Sequence, residues 1–313
     1  MNRLCKAFLL AGLAGSSTPA LGVVNFFDIF YLTYYDQPSA SAPTEYSSNS
    51  FTARIIAEPG SVGTAEFASP LELSINLPEI GPGYFLAQWS FGDPDSMVAA
   101  FPSGNYIFGI SEGSMGSSLG EIARAENTYW SDEIPAFTGE CFQAMQNVDS
   151  SIDFGASFNT FSAPAPANLG VTFLSILDSS NSVVFNEFFP SSDGARTIPA
   201  GTLLPGRAYR AVLFFSSRVE LQTADLGGST SIAAFDRVTT APLFTLPTCV
   251  GDLNNDGLVD DSDFVIFVGA YNLLDCADPS MAPGCPADLN RDGFVDDSDF
   301  VLFVGAYNEL ICP

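Results

Sequence analysis

The sequence predicts a mainly β protein, with one or two β-sandwich domains followed by a small module built from two loop–helix units. Three observations support this fold class. Between residues 23 and 247, apolar and polar residues alternate in short runs, which is the period-2 pattern of strands. The 27 Gly and 21 Pro supply many turns between these runs. Near the C-terminus, a 25-residue segment recurs at a spacing of 36 residues, and both copies end in a helical pattern.

The composition excludes several kinds of chemistry. The chain has 313 residues, 36 of them acidic and 10 basic, for a formal net charge of −26, and it has no histidine. Its single lysine, Lys6, lies in a segment that we expect to be removed. Mechanisms that need a catalytic His, a Schiff-base Lys or a His-ligated zinc are therefore excluded for the mature chain. A surface this acidic repels nucleic acid, so carboxylate chemistry, oxygen-ligand metal binding or no chemistry remain.

Residues 1–22 have the three parts of a secretory signal peptide. Arg3 and Lys6 form a basic start, an apolar run follows, and small residues then offer cleavage after Ala20 or Gly22. No later stretch reaches the roughly 18 to 20 apolar residues that span a bilayer. We therefore expect a secreted protein, extracellular or held at the cell surface by a partner, in a compartment that permits disulfides.

Two β-rich regions follow, at 23–134 and 135–247, and two sandwiches are favoured over one large barrel. Long amphipathic helices are missing from both regions, and only Ser118 to Ala125 fits a short helix. The strand pattern is clearest where apolar residues occupy every second position, as in Leu71, Leu73, Ile75 and Leu77, in Ile152, Phe154, Ala156 and Phe158, and in Tyr209, Ala211, Leu213 and Phe215.

The segment Leu203–Tyr209 reads LLPGRAY and runs into one of these strands. It resembles the corner before strand F of fibronectin type III and related immunoglobulin-like sandwiches. This resemblance implies that the Tyr209 hydroxyl bonds back to the turn, and that 135–247 is one immunoglobulin-like β-sandwich of about 100 residues. Residues Phe101–Phe108 repeat the order of turn, Gly and Tyr, so 23–134 is expected to be a similar sandwich.

Each C-terminal copy opens with the pattern D-x-N-x-D-G-x-V-D-x-x-D. Asp and Asn at alternate positions direct their oxygens to one point, the Gly allows a sharp turn, and the position-7 carbonyl adds an oxygen. A 12-residue loop with only oxygen ligands favours Ca²⁺ over Mg²⁺ or a transition metal. The predicted ligands of two Ca²⁺ ions are Asp252, Asn254, Asp256, Leu258, Asp260 and Asp263 in the first copy, and Asp288, Asn290, Asp292, Phe294, Asp296 and Asp299 in the second.

The segments before the loops are rich in Pro and Gly, so helices are predicted only after them, at Asp263–Leu274 and Asp299–Leu310. A duplicated loop with an exiting helix and a closing Asp resembles the type I dockerin family, over residues 248–313. The resemblance implies Ca²⁺-dependent binding to a cohesin-like domain or another secreted or cell-surface protein. It also implies partner contacts at loop positions 10 and 11, which are here Asp261, Ser262, Asp297 and Ser298.

The two helices depart from the family pattern. Where the family has basic residues further along the helix, both helices continue with apolar residues, F-V-I-F-V in the first and F-V-L-F-V in the second. Such a surface is either a hydrophobic interface with a partner or packing between the two copies, and both interpretations stay open.

Four cysteines recur with the repeat, one three residues before each loop and one after each helix. Along a helix that rises 1.5 Å per residue, the two ends of a copy lie about 18 Å apart, whereas a disulfide needs Cα atoms within about 7 Å. Pairing is therefore predicted between the copies, as Cys276–Cys285 and Cys249–Cys312. Cys141 is left over and is expected to be a buried free thiol.

The β-rich regions contain weaker candidates for chemistry. No catalytic residue is assigned to them, although glycoside hydrolysis needs only two carboxylates. Asp93 with Asp95, and Asp132 with Glu133, are the candidate pairs, and acidic turns of this kind are usually solvated. A sugar-stacking platform would use the rings of Trp89, Tyr129 and Trp130, although half-buried aromatic residues of strands are the favoured interpretation.

Three hypotheses for function follow from the sequence. The first is a secreted interaction protein that docks on a partner through its C-terminal module. The second is a carbohydrate-active protein of a polysaccharide-degrading system, either a glycan-binding module or a small glycoside hydrolase, attached through the same module. In the third, the C-terminal repeats are only a calcium-dependent stability element.

Overall fold

The computed structural model describes residues 24–111, 115–126, 128–246 and 249–308, so the predicted signal peptide and Cys312 lie outside the described residues. The prediction of a mainly β protein with a small helical C-terminal module is confirmed. The strands are β1 Val24–Asp36, β2 Tyr46–Ala57, β3 Thr64–Ala68, β4 Ser74–Leu77, β5 Glu79–Gly81, β6 Tyr84–Phe91, β7 Gly104–Ser111, β8 Ser118–Arg124, β9 Phe154–Ser157, β10 Leu169–Leu177, β11 Val183–Pro190, β12 Ala195–Ile198, β13 Ala208–Gln222 and β14 Thr230–Phe244.

The helices are short. They are α1 Pro94–Ala100, α2 Gly139–Ala144, α3 Asp261–Tyr271 and α4 Asp297–Tyr307, with one 3-10 turn at Asp225–Gly227. None of the helices in the described ranges has the length and apolar character needed to cross a membrane.

Eight strands form one mixed sheet in the order β11-β10-β13-β14-β1-β2-β6-β5. At its centre β1 and β14, the first and last strands of the described chain, pair in parallel, with Thr33 opposite Arg237. The sheet therefore takes strands from both predicted regions, 23–134 and 135–247, and its hydrogen bonds cross the boundary between them. The division into two domains stays a prediction.

Two hydrophobic cores lie side by side on one face of this sheet. The smaller sheet β4-β3-β7-β8 covers the first core, where Phe27 and Phe108 pack edge to face. Helix α2 and the β12-β9 pair cover the second core, which contains Leu213. Strand β14 serves both cores, because its inward residues include Phe235 in the first and Leu243 in the second. A long central strand thus joins two sandwich-like halves.

Each core contains a tyrosine that fixes a turn. The corner predicted at Leu203–Tyr209 is present: the Tyr209 hydroxyl accepts a hydrogen bond from the Leu204 N–H at 2.7 Å. In the first half, the Tyr106 hydroxyl donates to the Pro102 carbonyl oxygen at 2.6 Å. Both tyrosines are buried, so each hydroxyl satisfies a backbone group that the core would otherwise leave without a partner.

The C-terminal module has a small core of its own. Phe267 of α3 and Phe303 of α4 stack with their ring centroids 5.0 Å apart. Val259 and Val295, one from each loop, are buried beside them. The core is therefore shared by the two copies and is built from the same repeat positions in each.

Two sequence predictions need correction. The segment Ser118 to Ala125, predicted as a short helix, is mostly strand β8, in which Gly120, Ile122 and Arg124 alternate inward at period 2. The two exiting helices begin two residues earlier than predicted, at Asp261 and Asp297, and end at tyrosines. The earlier start has a local cause, because the aspartate before each helix caps its first N–H groups.

Candidate calcium-binding loops and docking faces

Carboxylates hold the first loop in shape through its own backbone. Asp252 accepts hydrogen bonds from the N–H groups of Asp256 and Gly257, at 3.1 and 3.0 Å. Asp263, which is fully buried, accepts three more, the shortest from the Leu253 N–H at 2.7 Å. Gly257 has a φ of +90°, a conformation that favours glycine and lets the chain turn back toward Asp252.

The second loop repeats these contacts. Asp288 accepts hydrogen bonds from the N–H groups of Asp292 and Gly293, at 3.1 and 2.9 Å. Asp299 is fully buried and accepts from the Asn290 N–H at 2.9 Å. Partial burial raises the pKa of Asp288, although the N–H groups around it oppose the shift. The closing aspartate of each loop thus joins the loop to the first turn of its helix.

The donor chemistry of both loops fits Ca²⁺. The predicted ligands of each loop are oxygens of Asp, Asn and a backbone carbonyl, with no nitrogen or sulfur donor. Four of them are carboxylates within 12 residues, and residues 249–313 hold 13 acidic residues against one arginine, so a bound cation would relieve their repulsion. Within the described residues, no three of these carboxylates lie within 4.8 Å of one another. The individual ligand assignments stay predictions.

Three cysteines in the described part of the module are disulfide-bonded. Cys276 and Cys285 form a disulfide across the linker between the copies, with their Cα atoms 5.5 Å apart. Their sulfurs lie close to Asp288, but sulfurs bonded to each other do not act as thiolate metal ligands. Cys249 is also disulfide-bonded, and its predicted partner, Cys312, lies outside the described residues. Cys141 is a buried free thiol, as expected.

Two tyrosines that the sequence analysis missed tie the copies together. The Tyr271 hydroxyl, at the end of α3, donates to Asp297 Oδ1 at 2.6 Å, and the Tyr307 hydroxyl, at the end of α4, bonds Asp261 Oδ1. The sequence signal for these contacts was the recurrence of Tyr at the same position of both repeats. Asp261 and Asp297, two of the four residues predicted to contact a partner, therefore help to hold the two copies together. Ser262 is exposed and has no such role. The contact of these four residues with a partner stays a prediction.

Helices α3 and α4 bury one narrow stripe and expose apolar residues elsewhere. Phe267 and Phe303 are 1% exposed, so packing between the copies accounts for them. We call the remaining residues the first and second apolar faces: Phe264, Val265, Ile266 and Val268 on α3, and Phe300, Val301, Leu302 and Val304 on α4, which are 37% to 71% exposed. Phe264 and Phe300 also lie near the buried ring of the opposite helix, with centroid distances of 6.1 and 5.9 Å. Packing inside the module leaves the outer sides of the other six residues uncovered.

One carboxylate of each candidate pair has a structural role. Asp93 caps α1, and its two oxygens accept from the Ser96 N–H and hydroxyl at 2.7 Å each. These bonds lower the pKa of Asp93, whereas a general acid for glycoside hydrolysis needs a raised one. Asp132 accepts from the Ser162 N–H at 2.9 Å and so fastens a loop. Neither observation supports a catalytic pair.

The structure does not bring the three predicted platform rings together. Tyr129 is 1% exposed, and its hydroxyl donates to the Ala233 carbonyl oxygen at 3.1 Å. Trp89 packs inside the first core, 5.8 Å from Phe67. Trp130 is half-buried and borders a cleft. The predicted platform is therefore wrong, because the Tyr129 and Trp89 rings pack in the first core.

Comparisons with known proteins single out the C-terminal module. Residues 250–304 match the family model described as dockerin type I domain. No curated protein matches the chain. Among solved structures, the BSP domain of a biofilm-associated protein matches at 13% identity and a TM-score of 0.19, over 71% of this chain and 30% of that one. The chain thus spans about 30% of that protein's length.

Two further structural matches consist of fibronectin type III domains. A two-domain segment of chicken tenascin matches at 10% identity and a TM-score of 0.23, over 64% of this chain and 95% of that one. The FN1–FN3 domains of chicken CNTN1 match at 9% identity and a TM-score of 0.22, over 68% and 67%. At such TM-scores these likenesses are loose and carry no weight for function.

Proposed function

We propose that this protein docks, with Ca²⁺ bound, on a cohesin-like domain of another secreted or cell-surface protein, because residues 250–304 match the family model of the dockerin type I domain. The β-rich region at 24–246 is then the part that docking displays. The observation that carries the proposal is the pair of apolar faces on α3 and α4.

The apolar faces have the properties of an interface core. Val265 and Val301 are 71% and 69% exposed and lie among other exposed apolar side chains. Soluble monomers rarely expose contiguous apolar patches unless a partner covers them, and interface cores are depleted of charge. At the start of each helix, Ser262 and Ser298 are exposed and polar. These positions suit the polar rim of an interface around each face.

Calcium has a defined part in this proposal. Each predicted site lies directly before a helix, and its closing residue, Asp263 or Asp299, is also in the first turn of that helix. An ion held by the loop would therefore fix where the helix begins and how its apolar face is presented. Without the ion, repulsion among the loop carboxylates would weaken that arrangement.

A calcium-dependent stability element is the main alternative. It accounts for the loops, the shared core and the disulfide, but it gives no reason for two apolar faces to remain exposed. The two hypotheses differ in one observable consequence. Substituting an exposed apolar residue on both faces would remove most of the binding if the faces dock, and would leave a stability element unchanged.

The test is a calcium-dependent capture followed by a measured affinity. The immobilised full-length protein is incubated with the native secreted proteins in Ca²⁺ or in EGTA, and the captured partner is identified, expressed and titrated. We expect the double variants Asp252→Ala with Asp288→Ala, and Val265→Asp with Val301→Asp, to lose that partner. Leu119→Asp is the matched control, because Leu119 is 68% exposed on β8, outside the module. Equal capture by wild type and both double variants would refute the proposal.

A further inference from the structure

A cleft of about 490 Å³ lies beside the first core of the β-rich region. Its floor is the central parallel pair of the sheet, where Thr33 of β1 lies directly opposite Arg237 of β14. Trp130 forms one wall, and helix α1, with Asp95 and Val98, forms another. The cleft thus combines apolar and aromatic walls with a few polar groups, which is a common composition of binding sites.

The floor contains buried polar atoms that have no partner in the described part of the chain. Thr33 is 2% exposed, and its Oγ1 makes no hydrogen bond there. Arg237 donates from Nη1 to the Tyr35 hydroxyl at 3.0 Å, but its Nε has no acceptor among the described residues. Leaving such groups unpaired costs stability. Other buried polar atoms of the described residues also have no partner, including the Thr172 hydroxyl, but only those of Thr33 and Arg237 belong to the lining of this cleft.

The aromatic wall is held rigidly. The Trp130 ring stands at 83° to the Phe235 ring, with their centroids 4.9 Å apart, and Phe235 in turn stacks on Tyr31 at 4.4 Å. Trp130 therefore cannot swing away without losing contacts to the first core. It is half-buried, so part of the indole remains available at the cleft.

The combination of side chains selects a class of ligand. An apolar wall beside a cationic donor and a hydroxyl needs a molecule with one apolar face and several oxygens at its edge. A purely apolar ligand would leave Thr33 and Arg237 unpaired. A polyphosphate would meet Asp95 on the opposite wall and a chain with a net charge of −26. The exposed Asp95 carboxylate instead suits a ligand that also has hydroxyl donors.

We propose that this cleft binds a pyranose ring of a polysaccharide. The ring's C–H face packs on Trp130, its oxygens accept from the partly exposed Arg237 guanidinium, and one of its hydroxyls pairs with Thr33 Oγ1 when the side chains of the floor adjust to the ring. Asp95 accepts a hydrogen bond from a further hydroxyl. The ring is neutral, or it is a uronate whose carboxylate pairs with Arg237. This site lies outside the C-terminal module, so the test of sugar binding is independent of the test of docking.

The intrinsic fluorescence of Trp130 can report binding in the cleft. It has two tryptophans, Trp89 and Trp130, so the full-length Trp89→Phe variant leaves Trp130 as the single indole. This protein is titrated with cello-, xylo-, manno- and chitohexaose and with oligogalacturonate, and binding is followed by fluorescence and calorimetry. We expect a saturable change in Trp130 fluorescence with at least one neutral oligosaccharide or with oligogalacturonate. Which of the two classes binds shows whether the ligand is a neutral sugar or a uronate. No saturable binding to any of them would overturn the proposal.

Isosteric variants then test the floor of the cleft. Thr33→Val keeps the shape and removes the hydroxyl, and Arg237→Met removes the cation; each should weaken binding at least tenfold. Thr172→Val is the matched control, because Thr172 is also buried and unpaired but lies outside the cleft. Both threonine variants should unfold at an unchanged or higher denaturant concentration, so lost binding is not lost folding. Wild-type affinity in both Thr33→Val and Arg237→Met would refute the proposed contacts.

Discussion

Val265 and Val301 are the most exposed residues of the two apolar faces, at 71% and 69%, and they occupy the same repeat position. Fully burying a valine side chain is worth about 1.5–3 kcal/mol, so covering what is exposed here would contribute about 1–2 kcal/mol to docking. Replacing either by Asp removes this contribution and places a carboxylate without a partner at the centre of the covered surface. The loss per covered face should therefore be at least about 2 kcal/mol.

Because the two faces are nearly identical, the Kd values of the single and double variants should differ in a predictable way. If one partner covers one face at a time, Val265→Asp leaves the second face intact and removes one of two equivalent docking modes. The Kd should then rise only about twofold, and Val301→Asp alone should behave alike. The double variant has no intact face, and its Kd should rise at least about thirtyfold.

The assay is isothermal titration of the purified partner into each variant in the presence of Ca²⁺. Far-ultraviolet circular dichroism checks that α3 and α4 persist, and Leu119→Asp reports any effect of an added surface charge. If either single variant loses as much affinity as the double variant, the two faces are not equivalent. That result would refute the reasoning from the repeat.

Three further predictions follow from the described contacts. Asp263→Ala removes the acceptor of three backbone N–H groups, so α3 should lose about 3 kcal/mol of protection against hydrogen exchange. Helix α4 serves as the internal reference. Equal protection of α3 in the variant and in the wild type would contradict this prediction. Tyr209→Phe should lower the free energy of unfolding by about 1 kcal/mol, because the Leu204 N–H loses its hydrogen bond to the tyrosine hydroxyl, and urea unfolding measures this. Burial raises the pKa of Asp28 and Asp236 to about 6. The folded state then binds more protons than the unfolded state between about pH 4 and 6, so each carboxyl's contribution of about 3 kcal/mol is present at pH 4 and is lost as the pH rises through 6. Asp28→Asn should unfold with a shallower loss of stability across this window, and an unchanged slope would argue against the buried carboxyl.

The pH prediction concerns a group whose charge is still paired at neutral pH. Asp28 is fully buried and accepts from Arg54 Nε at 2.6 Å, and the guanidinium lies over the Phe30 ring. Asp236 accepts from the Ser216 hydroxyl at 2.5 Å on a neighbouring strand. Arg54 opposes the effect of burial on Asp28 without cancelling it. Removing one charge alone would leave the other buried, so slopes rather than absolute stabilities are compared.

Features set by local contacts were predictable from the sequence. The first loop folds around carboxylates that accept from N–H groups no more than ten residues away, and its turn needs Gly257. The corner at Tyr209 spans five residues. The linker disulfide spans nine. In each case, the residue type and its spacing restrict the chain to very few arrangements.

Features set by distant contacts were not predictable in this way. Alternation indicates which side of a strand is apolar, but it does not identify the neighbouring strand, so the parallel pairing of β1 with β14 was missed. Thr33 and Arg237 have no motif, and their meeting at the floor of the cleft depends on that pairing. Trp130 was singled out from the sequence, but the wrong neighbours were assigned to it.

The sequence by itself determined a mainly β chain with a duplicated acidic loop–helix module, because a period-2 pattern and a 12-residue ligand pattern are both local properties. The tertiary structure alone decided which apolar residues of α3 and α4 are buried. Both helices are apolar on nearly every side, so periodicity could not separate a core stripe from a docking face. Only the stacking of Phe267 on Phe303 leaves the two apolar faces pointing outward.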